Sequence, residues 1–290
     1  MRLPRGSIRS RVISLLAVPL VVLLALWTFA VVTATGPVAD LHRFGAYRGG
    51  VALPAEEVVL ALQGERRTTL AWLAGGRSDT AGLGAARRRG DQAVAAYRDR
   101  SGAADLRSTA GALTRQRMRE MDQALATLAD LRSRVDRGAL DRTAALAAYT
   151  AVVDAAYRLL LPLAEPGDPT LARQARTWVD LGRAREALSQ EDALFAGDTA
   201  AGRISDTDRI RLVQAIGLQR FLFSQVAAQL PRAEDREYRA LVAGQDFRRL
   251  RQVEDAVLAA APGGGGAPVD AATWTAIHGH VSAGLRALER

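Results

Sequence analysis

The chain contains no cysteine and no lysine, so all 39 of its basic residues are arginines. Without cysteine there is no disulfide, no thiolate nucleophile and no cysteine-ligated zinc. Without lysine there is no Walker-type phosphate loop, no kinase β3 lysine and no Schiff base. Aromatic residues make up only 5% of the 290 positions, and β-branched runs are scarce beyond the first 35 residues. The abundant Ala, Leu, Arg and Glu are strong helix formers, so the composition predicts an all-α protein. Hydrophobic residues reach 49%, ample for one large or two small domains.

Histidine is also rare, with three in all: His42, His278 and His280. On a helix the pair His278-Gly-His280 diverges by about 200°, and no carboxylate cluster accompanies it, so the two read as surface histidines and no metal site is expected. No catalytic constellation and no cofactor motif is present. The chain itself is not expected to be an enzyme.

The formal charge of +8 invites a nucleic-acid reading. Four of those charges are Arg2, Arg5, Arg9 and Arg11, with no acid before Asp40, which leaves 35 arginines against 31 acids in the remainder. That balance is ordinary for a soluble domain, and no nucleic-acid partner is expected. The runs Arg87-Arg88-Arg89 and Arg248-Arg249-Leu-Arg251 read as solvated helix faces. Gly263 to Gly266 reads as a flexible linker.

From Val12 to Val32 there are 21 consecutive uncharged residues. At about 1.5 Å per residue they span roughly the 30 Å hydrocarbon thickness of a bilayer. Pro19 is tolerated within such a helix. A cleaved secretory signal shares the basic start but has a shorter apolar stretch, of about 7–15 residues. The expectation is a single-pass cell-membrane anchor with residues 1–11 as a cytoplasmic basic tail, 12–35 as the transmembrane helix and everything after about residue 36 extracytoplasmic.

Turn signals then divide the chain into eight segments, at 54–75, 80–101, 103–137, 141–163, 168–199, 206–230, 233–260 and 271–289. Three prolines and a glycine between Pro162 and Pro169 split them into two groups of four. The expected architecture is a linker over 36–53, a first helical bundle over 54–163 and a second over 164–290, the two stacked as antiparallel four-helix bundles.

Some arginines fall where an apolar residue is expected. In 100° steps, Arg66 lies inside the arc of Val59, Leu62, Leu70 and Leu73, with Arg67 on its flank. Arg185 and Asp192 fall in the arc of Trp178, Leu181, Leu188 and Phe195. Arg117 falls with Leu106, Leu113, Ala124, Leu128 and Leu131, and Arg220 sits in a segment that is apolar all round. A buried arginine must be paired, snorkelling or holding a ligand. Ion pairs are one reading, joining Arg185 to Asp192 and Arg66 or Arg117 to Glu65, Glu120 or Asp122. Inward guanidinium groups without matching carboxylates are the other, since their planar forks suit a small oxyanion.

The stretch Gln63-Gly-Glu-Arg-Arg-Thr-Thr-Leu-Ala-Trp-Leu-Ala-Gly75 resembles the first-helix signature of the nitrate- and nitrite-sensing family, an E-R-R or E-R-G core before a short L-A-x-L run. Leu131-Arg-Ser-Arg-Val-Asp-Arg-Gly138, Ala147-Ala-Tyr-Thr-Ala-Val-Val-Asp154, Arg185-Glu-Ala-Leu-Ser-Gln-Glu-Asp-Ala193 and Gln219-Arg-Phe-Leu-Phe223 extend the likeness in order. The resemblance implies an all-helical extracytoplasmic sensor in which arginines on facing helices bind nitrate or nitrite, with Arg66 and Arg67 matching the paired arginines of the first helix. Where many relatives carry E-R-A, this chain has Glu191-Asp192-Ala193, a negative charge in place of a positive one. Arg185 and Arg220 are the second-half candidates. The resemblance further implies the input part of an actinobacterial sensor histidine kinase in a two-component system, acting through a downstream kinase module or a partner protein, and it leaves a homodimer open.

Two functions are therefore expected to compete. One is an anchored sensory domain that binds nitrate or nitrite and relays the signal by helix displacement through 271–289. The other is an anchored helical scaffold or protein-interaction module whose arginines form structural ion pairs.

Overall fold

The structure is a computed structural model that describes residues 45–163, 169–230, 232–260 and 265–288. The expected basic tail and transmembrane helix lie outside the described residues. Within them the protein is all-helical, with a single isolated bridge between Ile204 and Gly265.

A π-helical turn, Arg48–Ala52, leads without a break into α1, Leu53–Ala74. Residues 45–53 of the expected linker are thus helical. Pro54 sits in the first turn of α1, where its missing N–H costs nothing. Gly76 (φ 68°) and Arg77 (φ 64°) then turn the chain through the left-handed region. Helix α2, Thr80–Ser101, starts on Asp79, whose carboxylate accepts the Gly82 N–H at 2.8 Å.

The segment expected as one helix over 103–137 is three: α3, Ala104–Thr109; α4, Ala112–Ala126; and α5, Leu128–Asp136. Ala110 (ψ 137°) and Gly111 (ψ 159°) are extended and shift the helical phase between Leu106 and Leu113. The stripe drawn through an unbroken helix consequently fails at Leu113 and Arg117 and holds at Leu128 and Leu131. Met118, Met121, Leu125, Leu128, Leu131 and Val135 are buried, whereas Leu113 is half exposed and Arg117 pairs locally with Glu120 at 2.6 Å.

Helix α6, Arg142–Leu163, is followed by α7, Pro169–Ala201, and α8, Asp206–Ala227. The expected 233–260 helix breaks at Gly244 (ψ 162°) into α9, Arg232–Val242, and α10, Gln245–Ala259. The last helix, α11, Ala271–Ala287, is capped by Asp270 through the Thr273 N–H at 2.7 Å. By length and composition Arg142–Pro162 could cross a bilayer, but half of that stretch is buried in the protein and supplies the core residues Tyr149, Val153 and Leu159.

Apolar side chains collect in two cores. The first joins α1, α2, α4, α5 and α6 through residues such as Leu62, Leu70, Tyr97, Met121, Val135 and Tyr149. The second joins α7, α8, α10 and α11 through Leu188, Phe195, Leu212, Phe223, Phe247 and Trp274. Helix α1 packs most extensively on α7, and α7 in turn packs on α8, so these neighbours connect the two cores. At 33 residues α7 is the longest element and is roughly 50 Å long.

Candidate functional site

Arg66 and Arg67 both lie on the face of α1 that meets α7. Arg66 is fully buried, as the helical stepping predicts. Its guanidinium Nη1 lies 2.6 Å from Glu186 Oε1 and Nη2 lies 3.1 Å from Glu186 Oε2, a two-pronged ion pair. Nη1 also donates to Thr150 Oγ1 at 3.0 Å and Nη2 to Ser189 Oγ at 3.1 Å. Gln63 and Gln190 each donate an amide N–H to the same carboxylate at 2.8 Å. Among the described residues, Arg66 Nε has no acceptor.

The matching acid is therefore Glu186, not the sequence neighbours Glu65, Glu120 or Asp122. Glu65 is taken by Arg132 from α5 at 2.7 Å and accepts the Tyr149 hydroxyl at 2.8 Å. That buried carboxylate sits beside Tyr149, whose hydroxyl is pushed to a higher pKa by burial and then by the Glu65 charge.

Arg67 is more open, with 30% of its side chain exposed. Its Nε lies 3.1 and 3.0 Å from the two oxygens of Asp192 on α7, and Nη2 donates to Thr275 Oγ1 on α11 at 2.7 Å. Asp192 also accepts the Trp274 indole N–H at 2.9 Å and faces His278 Nδ1 at 3.6 Å. One carboxylate thus ties α1, α7 and α11 together. Trp274 is fixed from its other side by stacking on Phe195, with ring centroids 4.2 Å apart.

His278 is not the surface residue expected from the His-Gly-His spacing. The divergence of the pair is real, and it puts His280 outward while His278 turns in toward Asp192. Burial lowers the His278 pKa, Asp192 raises it and Arg67 lowers it further. The imidazole is therefore held toward its neutral form.

The other two predicted arginines lie elsewhere on the fold. Arg185 is half-buried on α7, one residue before Glu186, and its expected partner Asp192 is engaged by Arg67. Arg220 donates to Glu254 at 2.7 Å and to Asp255 at 2.7 Å, both on α10. Beside it, Gln219 bridges two buried carboxylates, donating to Glu191 at 3.4 Å and to Glu254. Burial pushes the Glu191 carboxyl well above the usual carboxylate range, and the nearby Glu254 charge acts in the same direction.

A groove of about 400 Å³ lies between α4, α6 and α7, lined by Leu113, Arg117, Arg158, Leu161, Pro162, Arg176 and Asp180. Its lining shares no residue with the Arg66 and Arg67 network.

Sequence reasoning missed Glu186, Ser189, Thr150, Thr275 and Trp274 as members of the network. A signal was present on both helices. Gln63, Arg66 and Thr69 follow at steps of three, and Glu186, Ser189 and Gln190 at three and four, each a polar ladder inside an apolar face.

No curated protein matches the chain. Among solved structures, the NasR transcription antiterminator superposes with a TM-score of 0.74, covering 91% of this chain and 71% of that one at 21% identity. At that identity the likeness is one of fold. The sequence model for nitrate and nitrite sensing matches residues 57–290, so the chain belongs to the nitrate- and nitrite-sensing family.

Proposed function

We propose that this protein senses nitrate or nitrite at Arg66 and Arg67, the anion exchanging with a carboxylate that holds an arginine in the described state. The observation that carries this reading is the placement of two adjacent arginines on α1 against α7, each engaged by an α7 carboxylate. A carboxylate and a nitrate offer a guanidinium the same planar O–X–O fork, so one can stand where the other stood.

Magnitudes decide which pair exchanges. Separating the enclosed Arg66 from Glu186 would strand a buried charge at about 3–5 kcal/mol. In the other pair Arg67 is 30% exposed and Asp192 6%, so water can replace the partner of Arg67 while the Trp274 N–H stays on Asp192, and separating them costs less than separating a pair enclosed on both sides. Arg67 and Asp192 therefore form the exchanging pair, and Arg66 with Glu186 the fixed floor. Displaced from Arg67, the Asp192 carboxylate keeps the Trp274 donor and favours protonation of His278. A change at Arg67 is thus felt on α7 and α11 together. A ligand that distinguishes two packings of these helices shifts their populations, and sliding of packed helices is a known form of such a shift.

In this reading the two cores are stacked four-helix bundles, residues 12–35 anchor the chain in the membrane, and α11 passes the displacement to a histidine kinase module or a partner protein. The uncharged run from Val12 to Val32 and the family membership support it. The scaffold reading has its own support in the full burial of Arg66 and the complete pairing of its terminal nitrogens. Isothermal titration of the protein with nitrate, nitrite and chloride separates the two. Sensing predicts heat from nitrate or nitrite that Arg67→Ala removes and chloride does not reproduce. A scaffold predicts no anion-specific heat.

A further inference from the structure

The two oxygens of Asp192 have different neighbours. Oδ1 accepts the Trp274 indole N–H at 2.9 Å, whereas Oδ2 lies 3.0 Å from Arg67 Nε and 3.6 Å from His278 Nδ1. The His278 side chain is only 15% exposed, and its Nε2 sits 3.3 Å from Ser282 Oγ. A serine hydroxyl donates to a neutral ring nitrogen and accepts from a protonated one, so both forms of the imidazole keep a partner there. The charges acting on the ring come from three helices. Asp192 of α7 favours its charged form, as does the Leu188 backbone, while Arg67 of α1 and Arg286 of α11 oppose it. On α10, Asp246 lies 3.3 Å from the exposed His280, Glu254 and Asp255 are held by Arg220, and Arg248 and Arg249 are exposed. On α9, Asp235 and Arg239 pair with each other at 2.9 Å.

This network is balanced charge for charge. Glu186 matches Arg66, Asp192 matches Arg67, and burial holds the adjacent Glu191 toward its neutral acid. An anion arriving at Arg67 adds one negative charge that no cation of the network is left to match, and an unmatched charge in a mostly enclosed space is costly. Resting on the reading of Arg67 as the exchanging arginine, we propose that His278 takes up one proton from solvent as the anion displaces Asp192, so that the site binds nitrate or nitrite together with a proton. Two changes favour that proton. The anion neutralises the guanidinium that opposes a charged imidazole, and Oδ2 of Asp192, released by Arg67, is left with His278 Nδ1 as its neighbour while Trp274 keeps Oδ1. His278 touches no anion. It is a positioning residue that receives the displaced carboxylate. Coupling of this kind is reciprocal, so acid strengthens anion binding to the same extent that the anion strengthens proton binding.

Nitrate stays fully ionised near neutral pH, so a proton taken up on binding must go to the protein. Isothermal titration of the full chain with nitrate at about pH 7, repeated in buffers of low and high ionisation enthalpy, reads that proton as the slope of the apparent binding enthalpy. A slope of at least about 0.5 proton per anion is expected, and the nitrate Kd should weaken several-fold from about pH 6.5 to about pH 7.5. His278→Gln is expected to bind nitrate with a slope near zero, and His280→Gln to keep the parent slope. Nitrate heat independent of buffer, with a Kd independent of pH, would overturn the proposal in the parent protein alone and leave the Arg67 reading standing. A slope that survives His278→Gln would overturn it too, by placing the proton on another group. No heat from nitrate in any buffer would overturn the Arg67 reading itself, and this proposal with it.

Discussion

Replacing Glu186 by Ala removes the two-pronged partner of a guanidinium that is 0% exposed. Thr150 and Ser189 still accept one hydrogen bond each from Arg66, but neither supplies charge. Stranding the buried charge costs about 3–5 kcal/mol. The Gln63 amide loses its acceptor as well, which adds about 1 kcal/mol. For a domain of this size each kcal/mol lowers Tm by about 2–4 °C, so a fall of roughly 10 °C or more is expected. The same substitution opens a carboxylate-sized space in front of Arg66, and nitrate has the shape to fill it. At a concentration 100-fold above its Kd, nitrate would restore about 2.7 kcal/mol. Differential scanning calorimetry of Glu186→Ala in nitrate, chloride and sulfate at matched ionic strength measures both effects. A fall of less than about 2 °C would show that Arg66 does not depend on Glu186. Recovery of the same size in chloride would show that the space is not selective for a planar oxyanion.

Further predictions concern the neighbouring groups. Asp192→Asn keeps an acceptor for Trp274 but removes the charge that competes for Arg67, so nitrate affinity measured by titration should rise about tenfold, as a change near 1.4 kcal/mol gives. Burial lowers the His278 pKa, so its contribution to stability is complete above the unfolded value near 6.5 and is lost as pH falls through the folded value. His278→Gln should flatten the loss of Tm on acidification below about pH 6.5. Glu191 is displaced the other way: its contribution is present below the unfolded value of 4.5 and is lost as pH rises toward the raised folded value. Glu191→Gln, which mimics the protonated acid, should raise Tm at pH 8 relative to the parent protein and leave it little changed at pH 4.

Local signals carried much of the fold. Thr80–Ser101 is delimited by the Gly75-Gly76 turn before it and the Ser101-Gly102 step after it, and both are visible in the sequence. The breaks at Gly111 and Gly244 were hidden because each is a single glycine inside a helix-favouring run, where helix and break differ by only about 1 kcal/mol. The inward turn of Arg66 was legible for the same local reason that its partner was not. Periodicity fixes which face a residue takes, but Glu186 lies 120 residues away and meets Arg66 only through the packing of α1 on α7. Asp192 was visible as an acid on an apolar stripe, yet its pairing with Arg67 depends on that same long-range contact. His278 was misplaced because the angular separation of two histidines says that they diverge without saying which one points inward.

The most direct measurement is a crystal structure of the protein grown with saturating nitrate. Nitrate is expected to lie on the Arg67 guanidinium, with the Asp192 carboxylate withdrawn from its present 3.0 Å contact toward His278 while Arg66 and Glu186 stay paired. An Arg67–Asp192 pair unchanged under saturating nitrate, with the anion absent or bound elsewhere, would contradict the exchange.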